Sequence, residues 1–226
     1  MTACVIFDLD GTLVDSQAIC VEILNEMLAD RGSVRTIHPA TARPYLSMGG
    51  PRMVEALLAE ACGDPEVEIV EFRRRYAERP TPSTSLFPGV RDGLQALSAA
   101  GKRLAVCSNK PQQLCDKVLA ELSLAPLFEI VVGARAGYRA KPATDLLDLT
   151  LLHLRRPAGD CVYVGDSEVD HAVAAAAEMP FRFMSYGYAE PGWTAPAMIR
   201  HDPFADLVAG ILDDVPAVER RTAAAA

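Results

Sequence analysis

No stretch of the 226-residue sequence is apolar over a length that could span a bilayer, so no membrane-embedded chain is expected. Nothing resembling a secretory signal precedes the first motif, which starts a few residues from Met1; the expected location is cytoplasmic. The six cysteines are scattered and none forms a Cys-x-x-Cys pair. Cys4, Cys107 and Cys161 sit inside apolar runs, which reads as buried, reduced thiols in a reducing compartment. His38, His153, His171 and His201 show no ligand spacing and read as surface or satisfied core side chains. Basic charge is also scarce: the formal net charge is -8, which argues against nucleic-acid or anionic-membrane partners, since both need a basic footprint. A small anionic substrate stays compatible, because a few placed cations suffice for a local positive pocket.

What is present is an alternation. Short apolar runs, Cys4–Phe7, Leu104–Cys107, Ile130–Val132, Cys161–Val164 and Phe181–Ser185, alternate with helical patterns at Val90–Ala100, Gln112–Leu122, Ala143–Leu154 and Val169–Ala177. This predicts an α/β fold, a Rossmann-like parallel sheet with helices on both faces. One segment breaks the alternation. From Asp15 to about Pro82 only helical patterns occur, with apolar faces on Ile19, Ile23, Leu24, Met27 and Leu28 and on Met53, Val54, Leu57, Leu58 and Ala61. A further helix runs from Glu66 into Arg73-Arg74-Arg75, read as a solvated face, and Pro80–Ser83 has linker composition. The expected organisation is a core of residues 1–14 and 84–226 carrying a small helical domain, 15–83, with a frayed Ala-rich tail after Thr222.

In an open parallel sheet, ligands bind beyond the carboxyl ends of the strands. The residues that follow the apolar runs should therefore meet there: Asp8 and Asp10, Ser108-Asn109-Lys110, and Gly165-Asp166-Ser167, with Lys141 in the loop after the third run. Carboxylate oxygens in that number suit Mg²⁺ together with a substrate phosphate. A lysine and backbone N–H groups suit the remaining phosphate oxygens. The chemistry implied is phosphoryl transfer. Taken singly, Asp8 also reads as a strand-end turn residue and Asp166 as a helix cap.

The run Asp8-Leu9-Asp10-Gly11-Thr12-Leu13-Val14-Asp15-Ser16 resembles the first motif of the haloacid dehalogenase superfamily. Ser108-Asn109, Lys141-Pro142 and Gly165-Asp166-Ser167-Glu168-Val169-Asp170 follow in the order of its other motifs, and the helical segment resembles the cap that one branch inserts after the first. The resemblance implies a Mg²⁺-dependent phosphatase working through an aspartyl-phosphate. In it Asp8 is the nucleophile and Asp10 the acid and base, with Thr12 orienting Asp10. The metal is held by Asp8, the Asp10 carbonyl and Asp166, supported by Asp170, and the phosphoryl group by Ser108, Asn109 and Lys141. Lys110 and Glu168 are read as surface residues near the mouth of the site. Tyr186, Tyr188 and Trp193 are read as packing for the last strand.

Within the superfamily, Ser108-Asn109-Lys110-Pro111, Tyr163–Asp170 and Ser185-Tyr186-Gly187-Tyr188 look most like the phosphoglycolate phosphatase group. Ala143-Thr144 and Glu178 depart from its pattern, the latter standing where a glycine commonly ends the helix. The stretch Arg43 to Arg52 is the expected specificity loop. Gly49 and Gly50 would allow close approach of a small phosphorylated metabolite, and Arg43 or Arg52 would meet a second anion. The chain is expected to act as a monomer or homodimer. A hexose-phosphate mutase or pyrophosphatase shares these motifs. A dehalogenase lacks a carboxylate at the position of Asp10, and a non-catalytic phosphate-binding module is expected to have lost a motif residue.

Overall fold

The computed structural model describes residues 2–193 and 199–213; the Ala-rich tail lies outside them. Six parallel strands, β1 (Cys4–Phe7), β2 (Arg103–Pro111), β3 (Ile130–Ala134), β4 (Cys161–Gly165), β5 (Phe181–Met184) and β6 (Ile199–His201), form one sheet in the order β3-β2-β1-β4-β5-β6. This is the expected α/β arrangement. Every residue of β1 is fully buried, because the strand is central and covered on both faces. One buried cluster contains Val5 and Phe7 and the other Cys4 and Ile6, which is the period-two alternation of a strand packed on both sides.

The strand crossovers carry α5 (Val90–Ala99), α6 (Gln112–Glu121), α7 (Asp145–Leu154) and α8 (Glu168–Ala176), within two residues of the predicted helices. Two elements are additional. β6 is a three-residue edge strand with a single aliphatic residue, too short to register as an apolar run, and α9 (Phe204–Asp213) follows it. β2 also runs on through Ser108-Asn109-Lys110-Pro111, with a register irregularity against β3 between Cys107 and Pro111. Glu178, in the position read as a departure, has a φ of 52°, the left-handed conformation that a glycine adopts without steric cost.

Between β1 and α5 lie α1 (Gln17–Ala29), α2 (Pro39–Ala42), α3 (Gly50–Leu58) and α4 (Pro65–Glu78). No strand element lies in this stretch among the described residues; Val14 and Leu86 form an isolated bridge where the chain leaves and re-enters the sheet region. The buried faces of α1, α3 and α4 are Ile23, Leu24 and Met27, then Met53, Val54 and Leu57, then Ile69, Phe72 and Tyr76. Asp64 caps α4 by accepting a hydrogen bond from the Glu66 N–H at 3.0 Å, and Pro65 occupies its first turn.

Candidate active site

The strand order explains why distant motifs meet. β1 is hydrogen-bonded to β2 on one side and β4 on the other, so the residues leaving the carboxyl ends of these three strands are neighbours. Asp8 is held at that edge by its own N–H, which donates to the Val164 carbonyl at 2.9 Å. Among the described residues, the Asp8, Asp166 and Asp170 side chains place ligand oxygens within 4.8 Å of one another.

Lys141 neutralises part of this charge. Its ammonium lies 2.6 Å from Asp170 Oδ1 and 3.0 Å from Asp8 Oδ1, and it donates to the Tyr163 hydroxyl at 3.0 Å. Burial opposes the ammonium, but Asp170 and Asp8 outweigh it and hold the Lys141 pKa above its ordinary value. Asp8 is pushed up to about 6, first by burial and then by Asp170, with Lys141 pulling the other way. Asp166 is also raised, by burial and then by Asp170 and Asp8.

Three buried carboxylates against one lysine leave net negative charge out of water, which a divalent cation would relieve. The donor set fits such an ion on a second ground: Asp8 Oδ1 is buried and makes no aligned hydrogen bond, meeting the Lys141 ammonium only as an ion pair. The pocket is also shaped around Asp166. A Cβ on Gly11 would lie 2.2 Å from Asp166 Oδ2, and one on Gly187 would lie 2.2 Å from the Asp166 Cβ.

The sign of the Asp8 shift gives a test. A folded pKa near 6 lies above the unfolded carboxylate value of about 4, so the fold loses stability as pH rises between the two and Asp8 ionises. A bound cation recovers most where Asp8 is charged. The rise in Tm on adding Mg²⁺ is therefore expected to grow from about pH 5 to about pH 7. A rise that is flat or falls over this range would contradict the arrangement.

Several side chains stand elsewhere than the sequence suggested. Thr12 does not orient Asp10; its hydroxyl donates to Asp166 Oδ1 at 2.9 Å. The Asp10 side chain instead accepts from the Lys110 ammonium at 3.0 and 3.1 Å. Lys110 is not a surface residue: its side chain is 7% exposed and its ammonium sits 4.0 Å above the Tyr76 ring. The Asn109 carboxamide is spent on the loop of Lys141, donating to that residue's carbonyl at 3.0 Å and accepting from its N–H at 2.7 Å.

Asp170 accepts from the Ser167 hydroxyl at 2.7 Å and from the Asp166 and Ser167 N–H groups at 3.2 Å, closing the capping box of α8. Ser108 lines the cavity beside Asp8 and accepts from the Lys110 N–H at 3.3 Å.

The loop Tyr186-Gly187-Tyr188, read as packing, belongs to the site. The Tyr188 N–H donates to Asp166 Oδ2 at 2.6 Å, its hydroxyl donates to Asp15 at 2.7 Å, and the Tyr186 hydroxyl donates to the Thr12 carbonyl at 2.6 Å. The quoted Ser-Tyr-Gly-Tyr run was the available signal, since a glycine between two tyrosines marks a close backbone approach.

In the expected specificity loop, Arg43 is committed to the Tyr186 and Gly187 carbonyls and to Gln17 and does not line the cavity. Arg52 is exposed and lines an outer groove with Met48 and Glu190. Gly49 has a φ of 88°, and Gly50 packs so tightly on α4 that a Cβ would lie 2.7 Å from Ile69 Cδ1. Both glycines line the same cavity as Asp8, Asp10, Asp166 and Lys141.

The haloacid dehalogenase-like hydrolase family model matches residues 5–184. The chain belongs to that family. It is 38% identical over 206 residues to a phosphoglycolate phosphatase of Cupriavidus necator, covering 89% of this chain and 88% of the relative. It is 36% identical over 217 residues to the phosphoglycolate phosphatase of Rhodospirillum rubrum, covering 92% and 90%. A crystal structure from Lactobacillus delbrueckii subsp. bulgaricus, assigned as a phosphoglycolate phosphatase, superposes with a TM-score of 0.79 at 28% identity, covering 94% of this chain and 99% of that one. The protein is a phosphoric monoester hydrolase. No described helix is long and apolar enough to cross a membrane.

Proposed function

We propose that the protein is a Mg²⁺-dependent phosphatase for a small phosphoglycolate-like monoester and works through a phosphoaspartate at Asp8. The observation that carries this is Asp8 itself: a mostly buried carboxylate at the end of the central strand, ion-paired with Lys141 at 3.0 Å and clustered with Asp166 and Asp170. Asp8 and Asp166, with the Asp10 carbonyl, would hold the metal, which when bound screens the substrate phosphate from these carboxylates.

In the first step an Asp8 oxygen attacks phosphorus and the bond to the leaving oxygen breaks, with Asp10 giving that oxygen a proton. In the second, water attacks the same phosphorus, Asp10 takes its proton, and the Asp8–phosphorus bond breaks to release inorganic phosphate. Asp10 now shares both its oxygens with Lys110, so that pair must separate before Asp10 can donate a proton. Ser108 and Lys141 stabilise the charge on the transferring group, while Asn109 positions Lys141. Thr12 and Tyr188 fix Asp166.

The helical segment 15–83 acts as a cap over the site, supplying Leu46, Ile69 and Phe72 to a cavity whose floor is Asp8 and Asp166. It excludes water while the phosphoaspartate forms. The test is a panel of phosphate monoesters assayed with Mg²⁺ and with excess chelator. Phosphoglycolate is expected among the best substrates, with activity lost to chelator and restored by Mg²⁺. Full turnover in chelator would sink the metal assignment. Turnover of a hexose phosphate only with a bisphosphorylated sugar activator would make the protein a mutase.

A further inference from the structure

Three polar groups in the cavity remain unexplained by the chemistry at Asp8. Arg73, on α4, lines the cavity half-buried, and it makes no hydrogen bond or ion pair within 4 Å among the described residues. Its neighbours on the same helix behave differently: Arg74 is paired with Glu71 and Glu78, and Arg75 with Glu71 and Asp30. Glu66, two turns away, acts on Arg73 only at longer range, and burial lowers the guanidinium pKa from its ordinary value.

Tyr76, one turn further along the same helix, is 2% exposed; its hydroxyl faces the Lys110 ammonium, which can only donate to it, and its own proton finds no acceptor among the described residues. The Ser47 hydroxyl is likewise buried and unpaired, and both residues line the cavity. Buried hydroxyls and half-buried cations normally find acceptors, and donors of three side chains left without one around a single cavity point to an acceptor on a bound ligand.

We propose that Arg73, with Ser47 and Tyr76, forms the subsite that holds the leaving group and takes the carboxylate that a phosphoglycolate-like monoester carries. This rests on the phosphatase reading above and narrows its substrates to phosphate monoesters of short hydroxy acids. The charge balance selects a carboxylate. Of the cations lining the cavity, Lys141 is engaged by Asp8 and Asp170 and Lys110 by Asp10, so among the described residues Arg73 alone has no close counter-charge. One free guanidinium matches one negative charge, and its planar fork matches two carboxylate oxygens. A second phosphate would bring nearly two charges to the same single cation. Apart from Ser16, the remaining side chains that the helical segment lends to the wall, among them Leu46, Met53, Ile69 and Phe72, are apolar and suit a short carbon linker rather than a polyhydroxylated sugar.

The role falls to Arg73 rather than to Arg43 or Arg52, since Arg43 is engaged by backbone carbonyls and Arg52 opens onto the outer groove. Gly50 explains how the guanidinium is admitted: a Cβ there would stand 3.3 Å from an Arg73 terminal nitrogen.

The experiment compares phosphoglycolate, its analogue without the carboxylate, ethyl phosphate, and a short alkyl bisphosphate in wild type, Arg73→Met, Arg73→Lys and Tyr76→Phe. Because Arg73 makes no ion pair, Arg73→Met is expected to melt close to wild type, and Tyr76→Phe provides an independent probe that removes one oxygen. In wild type, phosphoglycolate should be preferred to both other substrates. Arg73→Met should lower kcat/KM for phosphoglycolate by roughly 10- to 100-fold, the loss of one charge-assisted pair, and leave ethyl phosphate within about threefold. Arg73→Lys should recover part of the preference, and Tyr76→Phe should lose a smaller part of it.

Equal losses on phosphoglycolate and ethyl phosphate, or no loss on either, would overturn the subsite. A bisphosphate preferred in wild type and lost in Arg73→Met would overturn the carboxylate assignment. A wild type that hydrolyses all three without preference also overturns it while leaving the phosphatase reading intact, whereas failure on every monoester defeats that reading itself.

Discussion

Asp8→Asn is expected to fold like wild type and to lose turnover by roughly 10⁴-fold or more, the scale seen when an enzyme loses its nucleophile. The amide is a poor nucleophile toward phosphorus and a weak ligand for a hard cation. The fold should tolerate the change because the native carboxylate is itself under strain of environment. Burial has pushed its pKa to about 6, and Asp170 opposes its charge. Removing the charge relieves that opposition, at the expense of the ion pair with Lys141. Thermal denaturation beside steady-state assays separates the two effects. Retained turnover in a well-folded Asp8→Asn protein would show that the phosphoryl group is attacked by something else.

Lys141→Met has the second large expected effect, and here stability and activity fall together. The ammonium bridges Asp8 and Asp170, and the Lys141 and Asp170 side chains are 2% and 1% exposed. Removing one member of a buried ion pair leaves an uncompensated charge, a loss on the order of 3–5 kcal/mol. Asp170 also ties the turn after β4 through Ser167 and the Asp166 N–H, so its displacement should loosen Asp166. Chemical denaturation should show the loss, and added Mg²⁺ should recover part of it by supplying positive charge to the same carboxylates. A Lys141→Met protein as stable as wild type would mean that the three acids are held apart by other means.

The sheet and the convergence of its motifs were legible because buried parallel strands write themselves as short apolar runs, each ending where the chain turns polar. Asp8 after Cys4–Phe7 and Asp166 after Cys161–Gly165 are examples. β6 escaped because an edge strand of three residues, Ile199–His201, needs no apolar run.

Side-chain pairings were less legible, since a motif orders residues along the chain without saying which neighbour each will bond. Thr12 lies two residues from Asp10 in sequence but bonds Asp166, 154 residues away. Lys110 looked like a polar residue at a strand end; its burial depends on Tyr76, contributed by a helix of the inserted segment. Arg73, Arg74 and Arg75 are indistinguishable as a basic run, and only the path of α4 turns the first toward the cavity and the other two toward glutamates and an aspartate.

The central claim is that phosphate passes through Asp8, and it is tested most directly by trapping that state. Asp10→Asn removes the group that assists hydrolysis of the intermediate. An aryl phosphate, whose leaving group needs no proton, should still phosphorylate Asp8 in this variant. Rapid mixing is expected to give a burst of phenol equal to the enzyme present, followed by slow turnover. Mass spectrometry of the acid-quenched protein should place an acid-stable, hydroxylamine-labile phosphoryl group on the peptide bearing Asp8. Phenol and phosphate released together with no adduct, or an adduct on any other residue, would contradict the account.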